Sequence, residues 1–171
     1  MTAFVALLRA VNVGGTSKLP MAKLKAIAEE LGLGSPRTFI ASGNLVFTSD
    51  KNEQALKAEL EQALAGHMGA PVAVMIRTAR QMAQAAAANP FAEEPGNKVV
   101  AIFLDHAPPE DAAKQAKYAA GERIQSGQRE LYVHYPNGQG PSKLVIPAAA
   151  TGTARNMNTV AKLAEMAGEL E

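Results

Sequence analysis

Arg37-Thr38-Phe39-Ile40-Ala41-Ser42-Gly43-Asn44-Leu45-Val46-Phe47-Thr48 is the stretch on which the fold turns. Arg37–Ala41 and Leu45–Thr48 are rich in β-branched and aromatic residues, and Ser42-Gly43-Asn44 separates them. A Gly-Asn pair between two β-prone runs signals a tight hairpin, with Gly43 at a central position that demands positive φ. Alternation along the second run sends Leu45 and Phe47 to one face of a sheet and Val46 to the other. Working outward, helical spacing appears on both sides. On the N-terminal side Ala3–Arg9 is β-prone, Pro20 occupies a first helical position, and Leu24, Ile27, Ala28 and Leu31 form an apolar stripe that Gly32 or Gly34 stops. On the C-terminal side Asp50 and Glu53 resemble a capping box. Leu56, Leu60, Ala63 and Leu64 form the stripe of that second helix, and Val72–Arg77 reads as a further strand. The order is β-α-β-β-α-β, that of the split-βαβ, ferredoxin-like motif.

The remainder gives an imperfect second copy. A Thr78-capped, alanine-rich helix runs to Asn89 and Pro90 ends it. Val99–Leu104 is apolar enough for burial on both faces. A helix is expected from Pro108-Pro109 to about Ala120. Next come a hairpin of Glu122–Gln125 and Arg129–Tyr135, a short helix from Ser142, and a last helix from Asn156 or Asn158. The expectation is an α+β chain with a ferredoxin-like subdomain over residues 1–78 and a β-α-β-β-α subdomain over residues 79–171, packed closely on it.

Composition removes several function classes. The chain has 171 residues, 47% apolar and 19% charged, as a globular protein does. Its net charge of +1 argues against duplex DNA or RNA as a partner. With no Cys, thiolate catalysis, iron–sulfur clusters and Cys-based zinc sites are excluded. Three scattered His residues do not suggest a metal site. No apolar run reaches the ~20 residues of a membrane span, and Ala3–Leu8 lacks the basic flank of a signal peptide. These features suggest a cytoplasmic protein.

Four blocks carry a family resemblance. Ala6-Leu7-Leu8-Arg9-Ala10-Val11-Asn12-Val13-Gly14-Gly15, Ser42-Gly43-Asn44-Leu45-Val46-Phe47, Glu130-Leu131-Tyr132-Val133-His134-Tyr135-Pro136 and Arg155-Asn156-Met157-Asn158-Thr159-Val160 together resemble the DUF1697 family over nearly the full length. The resemblance implies a bacterial, cytoplasmic α+β protein with ferredoxin-like subdomains, and it implies no activity. Met157 stands where members often carry an aromatic residue, which puts ring stacking at that position in doubt.

Candidate ligand-binding residues fall in three places. Asn12, Gly14 and Gly15 lie between a strand and a helix, where backbone N–H groups cradle anions. A tight β-to-α turn that needs glycine accounts for the same residues, and the spacing matches neither phosphate-binding glycine motif. Asn12 to Leu19 and Asn137 to Leu144 both read Asn-x-x-Gly-x-Ser-Lys-Leu. The two follow different strands of their halves, so the echo reads as coincidence rather than duplication, and Lys143 in the later segment is placed to meet an anion. Arg155, Asn156 and Asn158 crowd the start of the last helix, where Arg offers a planar fork to phosphate or carboxylate. Arg9, at the end of the first strand, is a further contributor. His134 and Tyr132 share a strand face, but the sequence displays no partner carboxylate. The RNA-recognition domain shares the β-α-β-β-α-β order, yet Leu45-Val46-Phe47 lacks its basic and aromatic pattern. The expected function is binding of a small anionic or phosphate-bearing ligand. The alternative is a non-catalytic module for protein or RNA. No catalytic residue set and no cofactor follow from the sequence.

Overall fold

The computed structural model describes residues 1–13 and 18–171. It is an α+β structure whose chain divides into two compact units, Met1–Met82 with Leu163–Glu171, and Ala83–Lys162.

In the first unit the elements are β1 (Thr2–Leu8), α1 (Met21–Glu30), β2 (Gly34–Thr38), β3 (Asn44–Ser49), α2 (Glu53–Met68) and β4 (Val74–Thr78). The sheet order is β2-β3-β1-β4, and every pairing is antiparallel. The register sets Phe4 opposite Phe47, and their rings stack with centroids 5.8 Å apart. Phe4, Ala6, Leu8, Leu45, Phe47, Val74 and Ile76 line one sheet face. They form one core cluster with Leu24, Ile27 and Ala28 of α1 and Leu56, Leu60 and Leu64 of α2. The expected stripes and the expected inward pair Leu45/Phe47 are therefore as the periodicity requires. Val46 lies outside that cluster and is also buried, as are Ala3, Val5 and Leu7 on its face.

Turn and cap details differ from expectation. The β2–β3 connection spans residues 39–43 rather than a two-residue turn. Asn44 closes it by donating from Nδ2 to Phe39 O at 2.8 Å and Ser42 Oγ at 2.9 Å. Gly43 nevertheless takes the expected positive φ of 91°. Pro20 is the N-cap of α1 and not its first residue. At α2 the N-cap is Asn52, whose side chain accepts from Ala55 N, so the Asp50/Glu53 pair does not cap. A reciprocal cap does form at α3 (Ala79–Ala87). Gln81 N donates to Thr78 Oγ1 at 3.1 Å and Thr78 N donates to Gln81 Oε1 at 2.9 Å.

The second unit holds β5 (Val99–Phe103), β6 (Arg123–Ser126), β7 (Glu130–His134) and β8 (Thr153–Asn156), and α4 (Met157–Gly168) follows β8. The order β6-β7-β5-β8 repeats that of the first sheet position for position. All of its pairings are again antiparallel. Val100, Ile102, Leu104, Leu131, Val133 and Tyr135 pack with Ala112 and Ile146.

The second half departs from expectation in three places. No regular helix forms between Pro109 and Ala120, where turns replace it. That stretch is alanine-rich but offers Ala112 and Ala116 as its only apolar anchors to the core. Helical stability in proteins comes from packing an apolar stripe more than from propensity. Lys117 instead bridges Val145. The short helix from Ser142 is also absent, and a single 3-10 turn at Pro147–Ala149 stands later. β8 is an unexpected strand, because Thr-Ala-Arg-Asn shows no apolar alternation. Its pairing with the fully apolar β5 supplies what its own sequence lacks.

Candidate functional site

The Asn12 side chain makes three hydrogen bonds to the backbone. Its Oδ1 accepts from Leu19 N at 2.7 Å, and its Nδ2 donates to Leu19 O at 2.9 Å and Ala41 O at 2.7 Å. The amide thus clamps both ends of the loop leading into α1 and ties it to the β2–β3 connection. Asn12 also adopts a φ of 55°, which Asn tolerates better than most residues. Gly14 and Gly15 lie outside the described residues. Beside the clamp, Asn12, Lys18, Pro20 and Ala41 line an open depression of about 440 Å³. Because the side chain satisfies three backbone groups, Asn12→Ala is expected to cost about 1–3 kcal/mol. Urea denaturation of the variant checks this; an unchanged midpoint would mean the clamp contributes nothing.

Arg9 is exposed just past β1, with its backbone N–H donating to Ala73 O. Arg155 stands on β8, opposite Ala101, directly before the Asn156 cap of α4. It is 7% exposed. Its NH1 donates to Thr153 Oγ1 at 2.8 Å and Ala154 O at 2.9 Å. Burial lowers its pKa to about 10. Asn156 caps α4 by accepting from Thr159 N at 2.9 Å. Asn158 is exposed at the first turn and sits against Gly96, where an added Cβ would collide with its Oδ1. These three residues each have a local structural job.

Lys143 is placed differently. It lines a cavity of about 220 Å³ in the second unit, together with Tyr118, Glu122, Tyr135, Asn137 and Ser142. The irregular segments that stand in place of the expected helices contribute most of this lining, and Glu122 and Tyr135, next to β6 and β7, contribute the rest. Arg155 is not among its lining residues. Glu122 accepts the Ser142 hydroxyl on Oε2 and Ala120 N on Oε1, the latter at 2.5 Å. Those bonds, the Ser142 hydroxyl first, hold its carboxyl below the usual range, so it is an anion at neutral pH. Burial and, secondarily, Glu122 push the Tyr135 hydroxyl up, keeping it neutral. Lys143 makes no hydrogen bond or ion pair to any described residue. Glu122 likewise meets no cation among them.

His134 acquires the carboxylate that the sequence does not display. Glu94 Oε2 lies 3.4 Å from His134 Nε2, and Arg123 NH2 lies 3.4 Å from His134 Nδ1. Arg123 also reaches Glu94 Oε1 at 3.3 Å and stands 4.7 Å from the Phe91 ring centroid. With Nε2 protonated, the imidazole satisfies both contacts, and this arrangement is a closed structural network. Tyr132 does not pair with His134: its hydroxyl donates to Ala85 O at 2.6 Å, and burial raises its pKa. Glu94 lies on a turn with no motif around it, so no sequence signal marks it. Among the described residues no group of three or more His, Asp or Glu could hold a metal, and no helix is long and apolar enough to cross a membrane.

Comparison with known proteins agrees with this architecture. A conserved bacterial protein from Streptococcus pneumoniae has a similar structure, with a TM-score of 0.77 at 22% identity, over 97% of this chain and 98% of that one. No curated protein matches the chain. The profile of the proteins of unknown function DUF1697 matches residues 1–132. That span takes in β1 through the middle of β7, and with it three of the four sequence blocks that carry the resemblance, the third in part; the chain belongs to the DUF1697 family.

Proposed function

We propose that this protein binds a small anionic ligand in the cavity of the second unit, with Lys143 as the anion's partner. The observation that carries the reading is that Lys143, an exposed residue, lines a concave volume and pairs with no described residue. Small-ligand sites are concave, largely apolar, and carry few polar groups that fix orientation. Here Tyr118, Tyr135 and two prolines supply the walls, and Lys143, Asn137 and Ser142 the polar points. Both units are read as ferredoxin-like, in keeping with their shared strand order, and the protein as cytoplasmic. The alternative of an RNA module reading bases on a sheet face has less support, because Val46, Val5 and Leu7 on the first sheet's second face are buried.

A thermal-shift screen of small carboxylates, inorganic phosphate and sugar phosphates tests the reading. A ligand at 100 times its dissociation constant adds about 2.7 kcal/mol to stability. At least one such anion is expected to raise the melting temperature, and Lys143→Ala is expected to abolish the shift while leaving the unliganded melting temperature unchanged. Shifts of equal size in the variant would remove Lys143 from the site.

A further inference from the structure

Resting on that reading, we infer that the ligand is a zwitterion bearing a ring, of the class of aromatic α-amino acids. One cavity holds two opposite charges, Lys143 and Glu122, and neither has an ion-pair partner among the described residues. A ligand that brings only an anion satisfies Lys143 and meets repulsion from the Glu122 carboxylate. One that brings an ammonium as well has a complementary charge in the cavity for each of its own. Glu122 keeps acceptor capacity for this, since Ser142 occupies one oxygen and Ala120 the other, while a carboxylate has about four lone-pair sites. A doubly charged phosphate monoester is disfavoured by the same repulsion.

The apolar part of the ligand follows from the walls. Tyr118, Tyr135, Pro136 and Pro141 are the ring-bearing residues that line a volume of about 220 Å³. That is small beside the roughly 300–1,000 Å³ of typical drug-sized sites, which suits one ring and not a nucleotide. Tyr118 adds an independent sign. It has a φ of 64°, a conformation that bulky residues avoid, and it is 70% exposed. Backbone strain of this kind concentrates at ligand clamps. Neither burial nor a core contact explains keeping an aromatic residue there, whereas stacking on a ligand ring does.

The test is titration calorimetry of the full chain with L-phenylalanine, 3-phenylpropionate, 2-phenylethylamine and glycine. L-Phenylalanine is expected to bind at least about tenfold tighter than each of the other three, a difference of about 1.4 kcal/mol. Glu122→Gln should bring its affinity down to that of 3-phenylpropionate without weakening 3-phenylpropionate itself. Tyr118→Ala should weaken L-phenylalanine by about tenfold. If 3-phenylpropionate matches L-phenylalanine and depends on Lys143, the zwitterion is overturned and the anion site stands. If glycine matches L-phenylalanine, the ring is overturned. If neither these compounds nor inorganic phosphate bind, both readings fall together. The ligand series on the unmodified protein decides even if Glu122→Gln loosens the Ser142 segment.

Discussion

Phe47→Ala is expected to destabilise the first unit by about 3–5 kcal/mol. Phe47 is fully buried, faces Phe4 directly across the β1–β3 ladder, and stacks on that ring at 5.8 Å. Truncation removes the transfer energy of the ring and leaves a cavity that two helices and a sheet cannot close, because its walls are themselves anchored. It also removes the aromatic pair, worth about 0.5–1.5 kcal/mol beyond area. Val46→Ala, one residue away on the other face, deletes far less volume and should cost a fraction of this. Urea denaturation followed by far-ultraviolet circular dichroism checks both. Similar midpoints for Phe47→Ala and the parent protein would mean that the register is wrong.

Gly43→Val should be the second severe change, at about 2–5 kcal/mol. Two costs add. The residue sits at φ 91°, where an L side chain is strained. A Cβ there would also lie 2.6 Å from Val11 Cγ2 and 2.9 Å from Leu8 Cβ. Leu8 cannot retreat easily, since its N–H donates to Gly43 O at 2.9 Å and its side chain belongs to the core. Gly43→Ala already carries both penalties and should show most of the loss. A Gly43→Val protein with an unchanged urea midpoint would contradict the conformation described for this turn.

Both positions are legible in the sequence, and for reasons that mark where such legibility stops. Gly43 is recognisable because glycine best answers a demand for positive φ between two β-prone runs. Phe47 is recognisable because alternation has a fixed period. Signals of that kind are local, and they also locate Leu24, Ile27, Leu56 and Leu60 on their helices. The second half is harder for a physical reason. Alanine-rich Glu110–Ala120 has helical propensity without an apolar stripe, and β8 has strand geometry imposed by β5 rather than by its own residues. The candidate site meets the same limit. Lys143 stands out in the sequence, but Glu122, Tyr118 and Tyr135 reach it only through the path of two irregular segments. Arg155 does precede the cap of the last helix, but its polar neighbours conceal the strand it also occupies.

The central claim, that the Lys143 cavity holds an anionic group, is tested most directly by amide chemical-shift mapping of the isotope-labelled full chain. Benzoate, L-phenylalanine and inorganic phosphate serve as the titrants. The expected result is saturable shifts at Ala120, Glu122, Asn137, Gly138, Ser142 and Lys143 for at least one titrant, lost in Lys143→Ala. Shifts centred instead on Asn12, Lys18 and Leu19, or none that saturate with any titrant, would contradict it.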